Sequence, residues 1–105
     1  MPGLVERATL ARHLSGHLVA QAVHAAARLD LGEQLAAGPL AADELARRCN
    51  CDADALGRLL RVLVQLGIVA AAGERYAATR MSELLRDGTP GSLRGPALLL
   101  GASAH

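Results

Sequence analysis

The sequence predicts a mainly α-helical domain, a winged helix-turn-helix with extra N-terminal helices and a small β-wing. Two short helical patterns lie on either side of a polar turn between residues 40 and 66, and an apolar hairpin-like segment follows. Alanine and leucine supply 22 and 20 of the 105 residues, and both favour helices. We divide the single domain, residues 1–105, into N-terminal helices (4–38), the winged helix (40–79) and C-terminal helices (80–105).

Two helices are predicted before the helix-turn-helix, at residues 4–14 and 16–29. The first carries apolar side chains at helical spacing, and Ser15 is a plausible N-cap for the second. Gly16 leaves open the alternative of one bent helix through both segments.

Apolar side chains cover more of these helices than one small domain can bury. In the second helix Val19 and Ala22 belong to one face and Leu18 to another. A chain of 105 residues cannot bury both faces in its own core, so the surplus predicts an interface, most simply with a second copy. With two leucines of a C-terminal helix added, the candidate interface residues are Leu4, Leu14, Leu18, Val19, Ala22, Leu98 and Leu99.

Capping residues and leucine spacing define the helix-turn-helix. A helix at 42–48 has acids in its first turn and arginines in its last, as the helix dipole prefers. Asp52 is the expected N-cap of a helix at 53–66, whose leucines recur at i, i+3, i+4 and i+7, and Gly67 closes it. This second helix is therefore amphipathic.

Weaker patterns predict the rest of the chain. Short extended pieces at 68–70 and 76–78 form the wing. Thr79 caps a helix at 80–86, and a last helix covers 93–101.

A helix-turn-helix usually indicates DNA binding, and here Arg58, Arg61 and Gln65 would be the base readers. Phosphate contacts, however, need an excess of basic residues. From 52 to 66 there are two acids and two arginines, and the net charge of the whole chain is +1. A small winged-helix transcription regulator is therefore kept as the alternative function, and nucleic acid is not the expected partner.

Other classes of site find little support in the sequence. Cys49 and Cys51 are too close for good disulfide geometry, and neither they nor the pair His13 and His17 belong to a recognisable metal set. Acids and histidines are scattered without a nucleophile–base pairing, so no catalytic residue is predicted. The sequence shows neither a membrane-span pattern nor a signal peptide, which predicts a cytoplasmic protein.

One family shares the order and spacing of these motifs. The runs DELA at 43–46, LGRLLRVL at 56–63 and LGI at 66–68, followed by Tyr76 and Thr79, resemble one domain type. This is the N-terminal winged-helix dimerisation domain of S-adenosylmethionine-dependent O-methyltransferases, most closely the bacterial enzymes that act on polyketides and related natural products. The resemblance covers nearly the whole chain.

The resemblance implies a dimerisation and substrate-lid domain that is not catalytic by itself. It implies a homodimer through the N-terminal dimerisation helices and a catalytic domain in cis or in trans. That domain would bind S-adenosylmethionine and an apolar small-molecule substrate, and the C-terminal helices would lead towards it. Gly88, Gly91 and Gly95 follow no predicted strand, so no cofactor residue is assigned in this chain. A free-standing accessory subunit of a biosynthetic enzyme is a further alternative.

Overall fold

The computed structural model describes residues 3–103, with side chains described up to residue 99. Its sheet is antiparallel, with strand order β1-β3-β2. The prediction of a mainly helical domain with a small β-wing is confirmed. In chain order the elements are α1 Leu4–Arg28, α2 Leu31–Leu35, β1 Leu40–Ala41, α3 Ala42–Cys49, α4 Ala53–Gln65, β2 Val69–Ala72, β3 Arg75–Ala78, α5 Arg80–Glu83 and α6 Arg94–Ser103.

The N-terminal segment forms one helix, α1, of 25 residues. The prediction of separate helices at 4–14 and 16–29 is wrong, and the alternative of one helix through Gly16 is right. A glycine costs about 1 kcal/mol inside a helix. Ending one helix and nucleating another costs more, because the first turn fixes several residues for one hydrogen bond. Ser15 therefore lies within a helix and does not begin one.

The second half of α1 belongs to the core of the domain. Ala22, Ala26 and Ala27 are 6%, 1% and 0% exposed. Their small side chains let neighbouring elements approach closely, and α6 lies along this half of the helix. The Nδ1 atom of buried His24 donates to the carbonyl oxygen of Ala97 in α6, at 3.3 Å. The larger residues that complete the core come from α2, α3, α4 and β2: Leu31, Leu35, Leu45, Leu56, Leu60, Leu63 and Val69.

The helix-turn-helix follows its predicted signals. The Asp52 carboxylate accepts a hydrogen bond from the backbone N–H of Ala55 at 2.8 Å, which makes it the N-cap of α4. Gly67 ends that helix with a φ of 76°, a left-handed conformation that favours glycine. The leucines of α4 at positions 56, 60 and 63 point inward, as their spacing predicts.

The wing contains one strand more than predicted. β2 and β3 pair as a hairpin, and Leu40 of β1 pairs with Tyr76 of β3. A strand of two residues is too short to show a period in the sequence, and only its partner β3 defines it.

Helix α5 is shorter than the predicted 80–86. Thr79 caps it as expected: its hydroxyl accepts from the Ser82 N–H at 3.2 Å, and the Ser82 hydroxyl accepts from the Thr79 N–H at 2.7 Å. Beyond Glu83 the backbone tightens into i→i+3 bonds, from Leu85 N–H to Ser82 and from Arg86 N–H to Glu83. This tighter turn ends the α-helix four residues after its start.

The close packing of α2 on α5 provides a test of the fold. A Cβ added to Gly32 would lie 2.2 Å from the Ser82 carbonyl oxygen, so Gly32→Ala should destabilise the fold by about 1–3 kcal/mol. Gly57→Ala, inside α4 with nothing within 4 Å of its added Cβ, should instead stabilise by about 0.5–1 kcal/mol. Urea unfolding followed by circular dichroism measures both. Equal midpoints for the two variants would contradict this packing.

Candidate functional site

The first half of α1 extends beyond the body of the domain. Every side chain from residue 4 to residue 19 is exposed except the half-buried Thr9. Sixteen helical residues span about 24 Å. Leu4, Leu14 and Leu18, three of the predicted interface residues, are 62%, 58% and 65% exposed. We call residues 4–19 the bare half of α1.

One apolar stripe runs along both halves of this helix. Residues 4, 8, 11, 15, 22 and 26 follow the spacing that places side chains on one helical face. At its C-terminal end the stripe is buried in the chain's own core, so Ala22, a predicted interface residue, is not part of the exposed surface. Val19 lies at the transition and is 39% exposed. The stripe is therefore already a packing surface in one half of α1 and is uncovered in the other.

The remaining predicted interface residues lie on α6. Leu99 is 71% exposed and Leu98 is half-buried. Because α6 lies along the second half of α1, these leucines are carried by the body of the domain. The predicted residues therefore occupy two places and do not form one continuous patch by themselves.

An apolar cleft of about 430 Å³ opens beside α5 and α6. Its accessible surface is almost entirely apolar. Met81 and Leu93 at this cleft are 46% and 53% exposed. The sequence gave no local signal for it, because its lining comes from four separate parts of the chain: Val23, Ile68, Met81, Leu84, Leu85, Leu93, Pro96 and Ala97.

The residues proposed as DNA readers share an exposed face of α4. Arg58, Arg61 and Gln65 are all exposed, at i, i+3 and i+7. The Arg61 Nε donates to the carbonyl oxygen of Gly57 in its own helix at 3.3 Å. The carboxylate of Asp52 is fixed at the N-terminus of the same helix, where DNA phosphate would otherwise be attracted. The face is geometrically available and electrically balanced.

Charges on the neighbouring helix α3 pair with one another. The carboxylate of Glu44 accepts hydrogen bonds from both Arg47 and Arg48, and these bonds hold the pKa of Glu44 below its ordinary value. The group is fully exposed, so the pair adds little to stability. Its consequence is local neutrality of the helix-turn-helix surface.

Both cysteines are free thiols. Burial raises the pKa of Cys49, whose Sγ donates weakly to the Leu29 carbonyl oxygen at 3.6 Å. A raised pKa makes the thiolate scarce at neutral pH, which argues against a nucleophile. Cys51 is exposed at the turn. Among the described residues no three histidines, cysteines or acids come together as metal ligands.

The described part of the chain does not fit a nucleotide-type cofactor. Such a cofactor is held where a glycine-rich loop joins a strand to a helix. Within residues 3–103, β1 runs directly into α3, β2 turns back into β3, and β3 leads through Thr79 into α5. Gly88 and Gly91 lie in the loop after α5. No described helix combines the length and apolarity that crossing a membrane requires.

Comparison with known proteins gives a consistent family. The family model for the O-methyltransferase dimerisation domain matches residues 11–87. Phenazine O-methyltransferase PhzM of Lysobacter antibioticus is 31% identical over 97 residues, which cover 91% of this chain and 28% of that enzyme. The 3-amino-4-hydroxybenzoate 4-O-methyltransferase of Streptomyces cremeus is 41% identical over 91 residues, covering 85% of this chain and 25% of that enzyme.

A solved structure shares the fold as well. CalO1, a methyltransferase in calicheamicin biosynthesis whose structure contains SAH, superposes with a TM-score of 0.79 at 33% identity. The superposition covers 94% of this chain and 30% of that protein. This chain therefore spans between a quarter and a third of the length of these relatives.

The balanced charge of α3 and α4 predicts that duplex DNA does not bind. Fluorescence anisotropy with a labelled random duplex at low salt should show no binding at about 10–50 µM protein, a range in which basic DNA-binding proteins associate non-specifically. A variant with Asp52→Asn and Asp54→Asn is the control that raises the local charge by two. Binding by the unaltered chain that weakens steeply with salt, and is lost in Arg58→Ala, would instead support the transcription regulator.

Proposed function

The chain belongs to the O-methyltransferase dimerisation domain family, and we propose that it joins two copies of such an enzyme through the bare half of α1. The observation that carries this proposal is the apolar stripe that continues from the core out along an uncovered helix. A helix of this length is marginal by itself in water, because helix propensity alone rarely stabilises so short a segment. A second copy covers the stripe with a surface of the same chemistry.

The size of the apolar surface supports a stable association. Leu4, Leu14 and Leu18 are each about 60% exposed, and full burial of a leucine side chain contributes about 1.5–3 kcal/mol. A two-fold dimer buries each of them twice, once per copy. Three leucines per copy are therefore a suitable centre for an interface, which is usually dominated by a few well-buried residues.

We further propose that methyl transfer belongs to a catalytic domain, attached to this chain or supplied by a partner. The relatives are full enzymes of which this chain matches 25–28%. Such a domain would bind S-adenosylmethionine, which supplies the methyl group. The residues of this chain contribute no cofactor cradle, so their role is assembly and enclosure.

The outer side of α6 is the surface that we propose as a lid over the substrate. Leu99 is 71% exposed there and lies near the end of the described chain. The names of the relatives include a phenazine and a hydroxybenzoate, both flat aromatic compounds. An aromatic hydroxyl compound of natural-product biosynthesis is therefore the proposed substrate class, and apolar side chains suit its ring faces.

The dimer is tested by a charge placed on the stripe. Leu14→Glu and Leu18→Glu should each weaken dimerisation at least about 30-fold, the equivalent of 2 kcal/mol, because a buried carboxylate finds no partner there. His13→Glu is the matched control, because it lies on the same helix away from the stripe. Light scattering across a dilution series measures the dimer fraction. An unaltered chain that stays monomeric at about 50 µM, well above the Kd of a typical stable interface, would contradict the proposal.

A further inference from the structure

We infer that the apolar cleft of one copy is the socket for the bare half of α1 from the second copy, and that the exchange is reciprocal. The inference rests on the proposed dimerisation and names the surface that receives the helix. Both parts are present on every copy of the chain: a helix with uncovered leucines and a groove without a filling. A two-fold axis lets each copy supply the helix for the other's groove.

The chemistry of the cleft favours side chains over a small ligand. Pockets that hold small molecules usually place a few polar groups among apolar ones, because polar contacts fix the orientation of the ligand. The accessible surface of this cleft is almost entirely apolar. Leucine side chains need no polar partner and gain from contact with such a surface. The leucines at positions 4, 10 and 14 of the bare half are 58–62% exposed and available for this contact.

The cleft is continuous with the exposed flank of α1. Val23 belongs to the lining of the cleft, and Val19, one turn earlier on the same helix, is 39% exposed. Gly16, a further three residues towards the N-terminus, has nothing within 4 Å of the position of a Cβ. A partner helix that follows this flank reaches the cleft without crossing a polar ridge, and the glycine leaves room for a close approach of the two helices.

The area available to α1 alone also points to a second contact surface. One side of a helix about 24 Å long and 10 Å wide offers roughly 400–500 Å². A stable interface buries about 800 Å² on each partner. Contact between the two α1 helices alone therefore falls short. Insertion into the cleft adds the walls around Met81 and Leu93, which are otherwise unusually exposed for such large apolar residues.

A charge at the mouth of the cleft tests the socket. Leu93→Glu and Met81→Glu should each weaken the dimer at least tenfold in light scattering or sedimentation, because the carboxylate would meet the inserted leucines. Val62→Glu is the matched control, since Val62 is 40% exposed on α4 and lies outside the cleft. Far-ultraviolet circular dichroism confirms that each variant is folded. Unchanged dimerisation in both cleft variants, with a dimeric unaltered chain, would overturn the socket and leave the proposed function intact.

Disulfide trapping identifies the occupant directly. In a background of Cys49→Ala and Cys51→Ser, one tagged batch carries Leu93→Cys and another carries a cysteine at position 4, 10 or 14. After mixing and mild oxidation, a crosslink between the two tags is expected from at least one of the three pairings. Crosslinks only between like α1 positions would show that the helices pair outside the cleft, and would overturn the inference.

Two further outcomes separate the alternatives. A chain that is monomeric at every concentration removes the proposed dimerisation and the socket together. An apolar fluorescent dye, anilinonaphthalene sulfonate, should bind the Leu18→Glu monomer at least several-fold more strongly than the unaltered dimer, because the socket is then vacated. Equal dye binding to both forms would show that the cleft is open in the dimer and suits a small molecule, which again contradicts the socket.

Discussion

The structure depends on the unbroken backbone of α1, because the two halves of this helix have different surroundings. In the second half Ala22 and Ala26 are closed into the core, while Leu14 and Leu18 in the first half face outward. Helix formation is cooperative, so a half that is fixed by tertiary packing provides the nucleus from which the other half propagates. The bare half is therefore held in place by its own continuation, ready to meet another surface without first folding.

Packing around α6 keeps that second half fixed. The Arg94 guanidinium donates to the Asp30 carboxylate at 2.9 Å, across the junction between α1 and α2. Both side chains are partly exposed, and such a pair contributes at most about 1 kcal/mol. The larger contribution is apolar, with the buried bond from His24 to Ala97 fixing the register of α6. For this bond the proton of the imidazole must reside on Nδ1. An apolar clamp with one directional bond is well suited to hold a helix against a pull on its free end.

Sequence reasoning located the parts of this fold that have strong local signals. The N-caps Asp52 and Thr79 and the inward leucines of α4 all follow from side-chain chemistry within a few residues. It failed where two weak local effects compete with a longer range one. Ser15 is a good N-cap in isolation, yet the backbone does not end its helix there. Strand β1 exists only through its pairing with β3.

The candidate site shows the same division. The exposure of Leu4 and Leu18 was predictable, since their helix carries more apolar surface than a small core can cover. Ala22 was assigned to the same surface, because a sequence does not show where along a stripe the chain's own core begins. The cleft could not be predicted at all. Its lining joins Val23 to Leu93, and their proximity is a property of the tertiary fold.

The helix-turn-helix itself acts through what it withholds from solvent. Leu56, Leu60 and Leu63 of α4 are buried, and the charged groups of α3 are satisfied within that helix, where Glu44 accepts from two arginines. A polyanion approaching this face would have to compete for those arginines and would gain no net charge attraction. An apolar partner approaching the bare half of α1 meets no such competition, and each leucine that it covers contributes about 1.5–3 kcal/mol. The free energy available on the surface of this domain therefore favours an apolar partner, with the helix-turn-helix serving as the rigid body from which α1 extends.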